Sequence, residues 1–236
     1  KHHIKNKIYF ILQPNKHLWI LFNLLNHKEN LFSDCAVIVF GGSYGGMLAS
    51  WIRMKYPFIV DFAHAASAPI YYYRNRQNFD IGVFFQIVTK NYEITIQTVP
   101  MHKIAFKRLT KYSTNSSAPI STLTNYFNLC KPLKSYKDIP ILMQYLNDGF
   151  SYMAMINYPY PTNFLKNVTA WPANSSCIPI DSVNLVQKLD LFVAVRKAAE
   201  YYYSYGKSQC NEIYEDSTTD ADMSGWNILA CGDQAM

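Results

Sequence analysis

No apolar run in this chain of 236 residues approaches the roughly 18 residues of a membrane-spanning helix. No membrane span is therefore expected. The short apolar patch Ile8 to Leu12 follows a basic start, but it lacks the length and the small-residue cleavage site of a signal peptide. Dense Lys/Arg runs are also missing. The formal charge of +6 is scattered, which describes a solvated surface rather than a nucleic-acid site. The five cysteines, at 35, 130, 177, 210 and 231, have no metal-site spacing, and neither metal nor cofactor is expected. There is no internal repeat. Disorder is excluded by what the chain does contain: 50% hydrophobic and 16% aromatic residues, with 19 Tyr. The length suits a substantial core, as one α/β domain or part of one.

The most informative stretch runs from Val37 to Met47. Val37-Ile38-Val39-Phe40 is apolar and mostly β-branched, and reads as a buried strand. Gly41-Gly42-Ser43-Tyr44-Gly45-Gly46 then forms a Gly-rich turn around one serine. From Met47 to Tyr56 the pattern is helical, and Pro57 stops it. Strand, tight turn with Ser, and helix make up a nucleophile elbow, with Gly41-x-Ser43-x-Gly45 matching G-x-S-x-G. Neighbours of a serine on a strained turn must lack a Cβ that would clash. The N–H of Tyr44 would lie near the helix N-terminus, where it can face a developing oxyanion. Asp61 to Ser67 reads as the next parallel strand, completing a right-handed βαβ unit.

Three blocks carry a family resemblance. The first comprises Gly41 to Ala49, Arg53-Met54-Lys55-Tyr56-Pro57 and Ala65-Ala66-Ser67-Ala68-Pro69-Ile70. Tyr158-Pro159-Tyr160-Pro161-Thr162-Asn163-Phe164-Leu165 with Ala170-Trp171-Pro172 is the second, and Gly225-Trp226 with Ala230-Cys231 the third. Together they resemble the prolyl-specific serine peptidases, the family of lysosomal Pro-X carboxypeptidase and dipeptidyl peptidase II. Ala170-Trp171-Pro172 and Gly82 to Thr89 look closer to the carboxypeptidase branch. The resemblance implies an α/β-hydrolase fold carrying a mainly helical cap insertion. It divides the chain into a partial hydrolase core over 1–70, a cap over 71–222 and a return to the core over 223–236. It also implies a serine-type exopeptidase that cuts after proline through an acyl-enzyme at Ser43. The alternatives are a dipeptidyl aminopeptidase of the same family, or an inactive or truncated relative. The implied partners are peptides with proline beside the scissile bond. The sequence does not set the oligomeric state and allows a homodimer.

Further site residues follow from the resemblance. Met47 and Met236 match positions lining an apolar pocket for the proline ring; Met47 reads equally as a core residue of the elbow helix. Asp233 stands where the family usually has a Glu holding a substrate terminus. It reads either as that group with shorter reach or as an exposed loop carboxylate. Tyr158, Tyr160 and Trp171 wall the cleft or, by default, pack in a core. Cys130 and Cys210 match a bonded pair. The family partner of Cys177 would fall near Ile96 or Gln97, where no cysteine stands. A lysosomal or secreted location is implied, and three sequons, at Asn115, Asn167 and Asn174, lean the same way.

In α/β-hydrolases the triad follows in the order Ser, acid, His. Only His64 and His102 come after Ser43. His64 lies in the strand after the elbow helix and reads as a paired core or strand-end residue. His102 reads as a surface residue at the start of a helix. The triad Asp and His are therefore expected C-terminal to Met236.

The remaining elements are coarser. A helix is expected from Asn15, with Leu18, Leu21, Phe22 and Leu25 on one face, then a loop over Lys28 to Asp34. Tyr71 to Gln77 reads as a linker. Gly82 to Tyr92, His102 to Tyr112 and Ile139 to Ile156 read as helices, and Ser113 to Ser121 as a polar loop. Asp181 is expected to cap a helix with Val183, Val186, Leu189 and Val193 inward. Asp216 to Asp222 reads as an acidic loop.

Overall fold

Val37-Ile38-Val39-Phe40 becomes the centre of a small parallel sheet because β-branched side chains suit a pleated, two-sided environment. The computed structural model describes residues 8–11, 36–70, 80, 82–94, 96, 98–114, 119–183, 190–203 and 209–214. The chain divides into two units, one of residues 1–79 with 227–236 and one of residues 80–226.

In the first unit, β1 (Ile8–Ile11), β2 (Val37–Gly42) and β3 (Phe62–Ala66) lie in the order β1-β2-β3. Both pairings are parallel, with Ile8 opposite Val37 and Phe40 opposite His64. The strand β1 was not foreseen. Four residues give too little pattern to mark a strand, and its pairing with β2 defines it. Helix α1 (Tyr44–Lys55) joins β2 to β3. Its Ala49 and Ile52 close a core with Val37, Val39 and Val60. The helix begins three residues before the expected Met47, with Gly45 and Gly46 in its first turn, because Gly46 N–H and Met47 N–H both donate to the Ser43 carbonyl, at 3.0 and 3.2 Å. It ends where Tyr56 N–H donates to the Ile52 carbonyl at 2.8 Å, just before Pro57. Asp61 secures the start of β2: its carboxylate accepts from Val37 N–H at 2.7 Å. Its own N–H donates to the Val37 carbonyl at 2.9 Å.

The second unit is helical. It contains α2 (Val83–Lys90), α3 (Thr98–Thr114), α4 (Ile120–Tyr126), a 3-10 turn at Tyr136–Asp138, α5 (Ile139–Met155), α6 (Pro172–Asp181) and α7 (Asp190–Tyr203). Its core gathers Leu109, Leu123, Phe127, Leu142, Leu146, Met153, Ile180 and Val195 from these helices.

Three expectations change here. The polar loop after Tyr112 is shorter, because α3 runs to Thr114 and α4 starts at Ile120. Asp181 caps no following helix. It is the last residue of α6, where Ser182 N–H and Val183 N–H bond back to the Ile178 and Ile180 carbonyls. Its carboxylate instead accepts from the Thr98 hydroxyl at 3.1 Å. The next helix starts at Asp190 and buries Leu191, Ala194, Val195, Ala198 and Tyr202, leaving Val193 half-buried. Finally, His102 is not a surface residue. Because α3 begins at Thr98, the ring turns inward, edge-to-face against Phe150 with centroids 4.2 Å apart. Its Nδ1 meets the Thr98 carbonyl at 2.9 Å and so carries the proton. Burial lowers its pKa from 6.5 to about 4.

A clasp joins the segment after α4 to the segment after α7. Cys130 and Cys210 are bonded across 80 residues of sequence. Beside them, Asn211 is buried and fully engaged. Its amide donates to the Phe127 carbonyl at 2.8 Å and to Glu200 at 2.9 Å, and its oxygen accepts from the Tyr145 hydroxyl at 3.1 Å. Cys177 is a buried free thiol, 3.2 Å from the Ala173 carbonyl.

The expected helix from Asn15, the loops at Lys28 to Asp34 and Asp216 to Asp222, and the linker at Tyr71 to Gln77 lie outside the described residues. So do Cys35, Val186, Leu189, Gly225, Trp226 and Cys231. Among the described residues, no helix is long and apolar enough to cross a membrane.

Two outcomes are expected for stability. Replacing Cys130 and Cys210 by Ala together should lower the unfolding free energy of the helical unit by about 2–4 kcal/mol in denaturant titrations, since the bond closes a long loop. For His102 the unfolded chain binds the extra proton between about pH 4 and pH 6.5. Stability should therefore rise with pH across that window, by about 3 kcal/mol, and level off above it. His102→Phe should flatten that part of the pH profile.

Candidate active site

The turn between β2 and α1 holds Ser43 at φ 54° and ψ −123°, a backbone region an L-residue rarely enters. Three hydrogen bonds keep it there. Ser43 N–H donates to the Ala66 carbonyl at the end of β3, at 3.0 Å, and the Ser43 carbonyl accepts the two amides of the α1 first turn. The result is an exposed serine on top of a sheet, beside the exposed Gly42 and between the buried Gly41 and Tyr44.

The glycines differ in what they permit. A Cβ on Gly41 would run into the Gly45 carbonyl and come within 2.7 Å of Gly46 N. No side-chain rotation relieves that contact, because every atom involved is backbone. A Cβ on Gly46 would stand 3.0 Å from both the Ala66 carbonyl and the Ala68 Cβ. Gly42, by contrast, has open space around it. The sequence pattern marked Gly41 and Gly45. The G-x-S-x-G pattern does not include Gly46, whose two tightest contacts come from the end of β3 and the segment after it, with the Gly41 carbonyl 3.1 Å away.

Tyr44 is the first helical residue, so its N–H lies at the positive end of the α1 dipole. The side chain is buried and meets Trp51 edge-on, with centroids 6.5 Å apart. Met47 is fully buried. His64 is exposed on β3, its ring 5.5 Å from Phe40, and among the described residues no histidine or carboxylate is hydrogen-bonded to Ser43. Asp233 and Met236 lie outside the described residues, as does Asn115.

In the helical unit, Tyr158 and Tyr160 stack at 5.4 Å. Both are exposed, and so is Trp171. The expected default of core packing is therefore not met, because the loop carrying the two tyrosines turns their rings outward. Asn167 and Asn174 are exposed. Among the described residues no cluster of His, Cys, Asp or Glu could hold a metal.

A strand, a turn with a left-handed serine and a helix are thus on one short segment, and comparison with known proteins places that segment in a family. The family model described as serine carboxypeptidase S28 matches residues 17–232. The chain belongs to the serine carboxypeptidase S28 family. These are serine-type peptidases of the α/β-hydrolase kind. This S28 chain is 37% identical over 221 residues to lysosomal Pro-X carboxypeptidase of Mus musculus, covering 90% of the chain and 43% of that relative. Against lysosomal Pro-X carboxypeptidase of Homo sapiens it is 36% identical over 205 residues, covering 85% and 40%. Prolyl carboxy peptidase like protein 5 of Caenorhabditis elegans is 32% identical over 220 residues, covering 89% and 43%. The S28 chain therefore spans about two fifths of the length of these curated relatives.

Gly41→Ala should collapse the turn. The expected outcome is a fall in the amount of folded protein, or a loss of more than about 3 kcal/mol. Gly42→Ala, where nothing is in the way, should stay within about 1 kcal/mol of the parent; circular dichroism melts would compare the two.

Proposed function

We propose that the protein is a serine exopeptidase that hydrolyses peptide bonds after proline, with Ser43 Oγ as nucleophile. The observation that carries this reading is the exposed Ser43 at positive φ on the N-terminus of α1, in a chain of the S28 family. In the proposed reaction Oγ attacks the carbonyl carbon as its proton passes to the base, the C–N bond breaks and the amine leaves with that proton; water then hydrolyses the acyl-ester, releasing the acid and restoring the Ser43 hydroxyl. The N–H of Tyr44 and the α1 N-terminus stabilise the oxyanion. We assign the base that takes the Oγ proton, and the acid that orients it, to an Asp–His pair outside the described residues, following the triad order of α/β-hydrolases.

The finer reading is release of the C-terminal residue that follows proline rather than release of an N-terminal dipeptide. Ala170-Trp171-Pro172 and the likeness to the Pro-X carboxypeptidases of Mus musculus and Homo sapiens support it. We assign the proline-ring pocket to Met47 with Met236, and a substrate-terminus contact to Asp233. The helical unit is assigned the substrate-selecting role that the resemblance implies for a cap. A lysosomal location is proposed from the relatives' names, with Asn167 and Asn174 as exposed glycan acceptors.

The test uses the full-length protein, a fluorophosphonate probe and a peptide ending in Pro-Phe. The probe should attach to Ser43, and phenylalanine should be released. Ser43→Ala should abolish both, with kcat falling by at least about 10⁴-fold. Labelling that survives Ser43→Ala would refute the assignment.

A further inference from the structure

A cavity of about 260 Å³ opens within the helical unit between α2, α3 and α5. Its walls are mostly aromatic and aliphatic: Phe85 and Val88 of α2, Tyr92 just beyond it, Phe106 of α3 and Phe150 of α5. Thr89, His102, Lys103 and Asn147 add polar groups to this lining. His102 borders the cavity, and with Nδ1–H committed to the Thr98 carbonyl, its Nε2 is an acceptor. That nitrogen is closed from water and has no donor. Among the donors that line the cavity, the Tyr92 hydroxyl already donates to the Phe150 carbonyl and the Thr89 hydroxyl to the Phe85 carbonyl, each at 2.7 Å, and neither Lys103 nor Asn147 bonds to this nitrogen.

A buried acceptor without a donor is costly, and a partner that supplies one recovers the loss. The partner's character follows from the surroundings. Aromatic walls favour an aromatic guest through edge-to-face contact. A cation would have to shed its water in an apolar space, and a carboxylate has no proton to give. A neutral ring carrying one O–H or N–H satisfies every condition. Access is also provided for: α2 buries none of its residues, and Phe85 is 48% exposed, so this wall can give to bring a guest onto Nε2.

We propose that this cavity binds a neutral aromatic hydrogen-bond donor, a phenol or indole ring, which donates to His102 Nε2. The site is independent of Ser43 and of the proposed hydrolysis.

The full-length protein would be titrated at neutral pH with 4-methylphenol, toluene and 4-methylanisole. Calorimetry would give the affinities, and the His102 imidazole resonances would report contact. The expected result is that 4-methylphenol binds about 5- to 10-fold tighter than toluene, the worth of one hydrogen bond. It should also shift the His102 signals, and 4-methylanisole, which has no donor, should match toluene. His102→Phe should keep toluene binding and lose the preference. N-acetyltyrosinamide separates the two sources of such a ring. Binding like that of 4-methylphenol assigns the site to a tyrosine side chain, and its exclusion assigns the site to a free phenol. Equal binding of 4-methylphenol and toluene to the parent protein, or no binding of either up to about 10 mM, overturns the proposal. Both of these comparisons are made on the parent protein, so they stand even if the variant does not fold.

Discussion

The left-handed backbone of Ser43 is the constraint on which the first unit depends. Such a conformation costs on the order of 1–3 kcal/mol, and it persists only where neighbouring structure leaves no alternative. Here β2 is fixed on both sides by parallel partners, the Ala66 carbonyl takes the Ser43 N–H, and α1 takes its carbonyl. Gly41 lets the helix start come down onto the strand end, and Gly46 lets β3's exit pass alongside. A serine on an ordinary βα turn would have the same side chain without the same exposure.

The helical unit solves a different problem. Among the described residues its buried core is assembled from helices α3 to α7 and the irregular segments between them, several with polar groups that must be paired when buried. Asn211 shows the solution: an amide with all its main opportunities used, by Phe127, Glu200 and Tyr145. His102 shows the opposite case. One nitrogen is paired and the other is left over, in a ring kept neutral by burial.

The elbow could be read from the sequence because its determinants are local. A β-branched run, a serine between glycines and a proline stop lie within 21 consecutive residues, Val37 to Pro57. What could not be read depended on distant partners. Ile8–Ile11 is a strand only because Val37–Phe40 lies beside it. Pro172–Asp181 has two prolines and a polar middle, yet it folds as a helix whose Ala173, Cys177 and Ile180 share a buried face. Asp181 follows the usual capping preference in type but not in place, because Thr98, far away in sequence, uses its carboxylate. His102 looked like a surface residue because the start of its helix was placed four residues late. The strand, turn and helix around the candidate serine thus came from short-range pattern, whereas the partner groups of the site are long-range by nature.

The clasp at Cys130 and Cys210 has a consequence for synthesis. Cys130 emerges from the ribosome 80 residues before its partner. At roughly 5–20 residues per second, that is about 4–16 s during which it is an unpaired thiol. Over the same interval the Phe127 carbonyl waits for the Asn211 amide, and Glu200 arrives only near the end. The helices from α3 to α6 are therefore made before the contacts that close their core exist. The nascent unit must pass through that interval with its apolar faces held by local helix pairing alone.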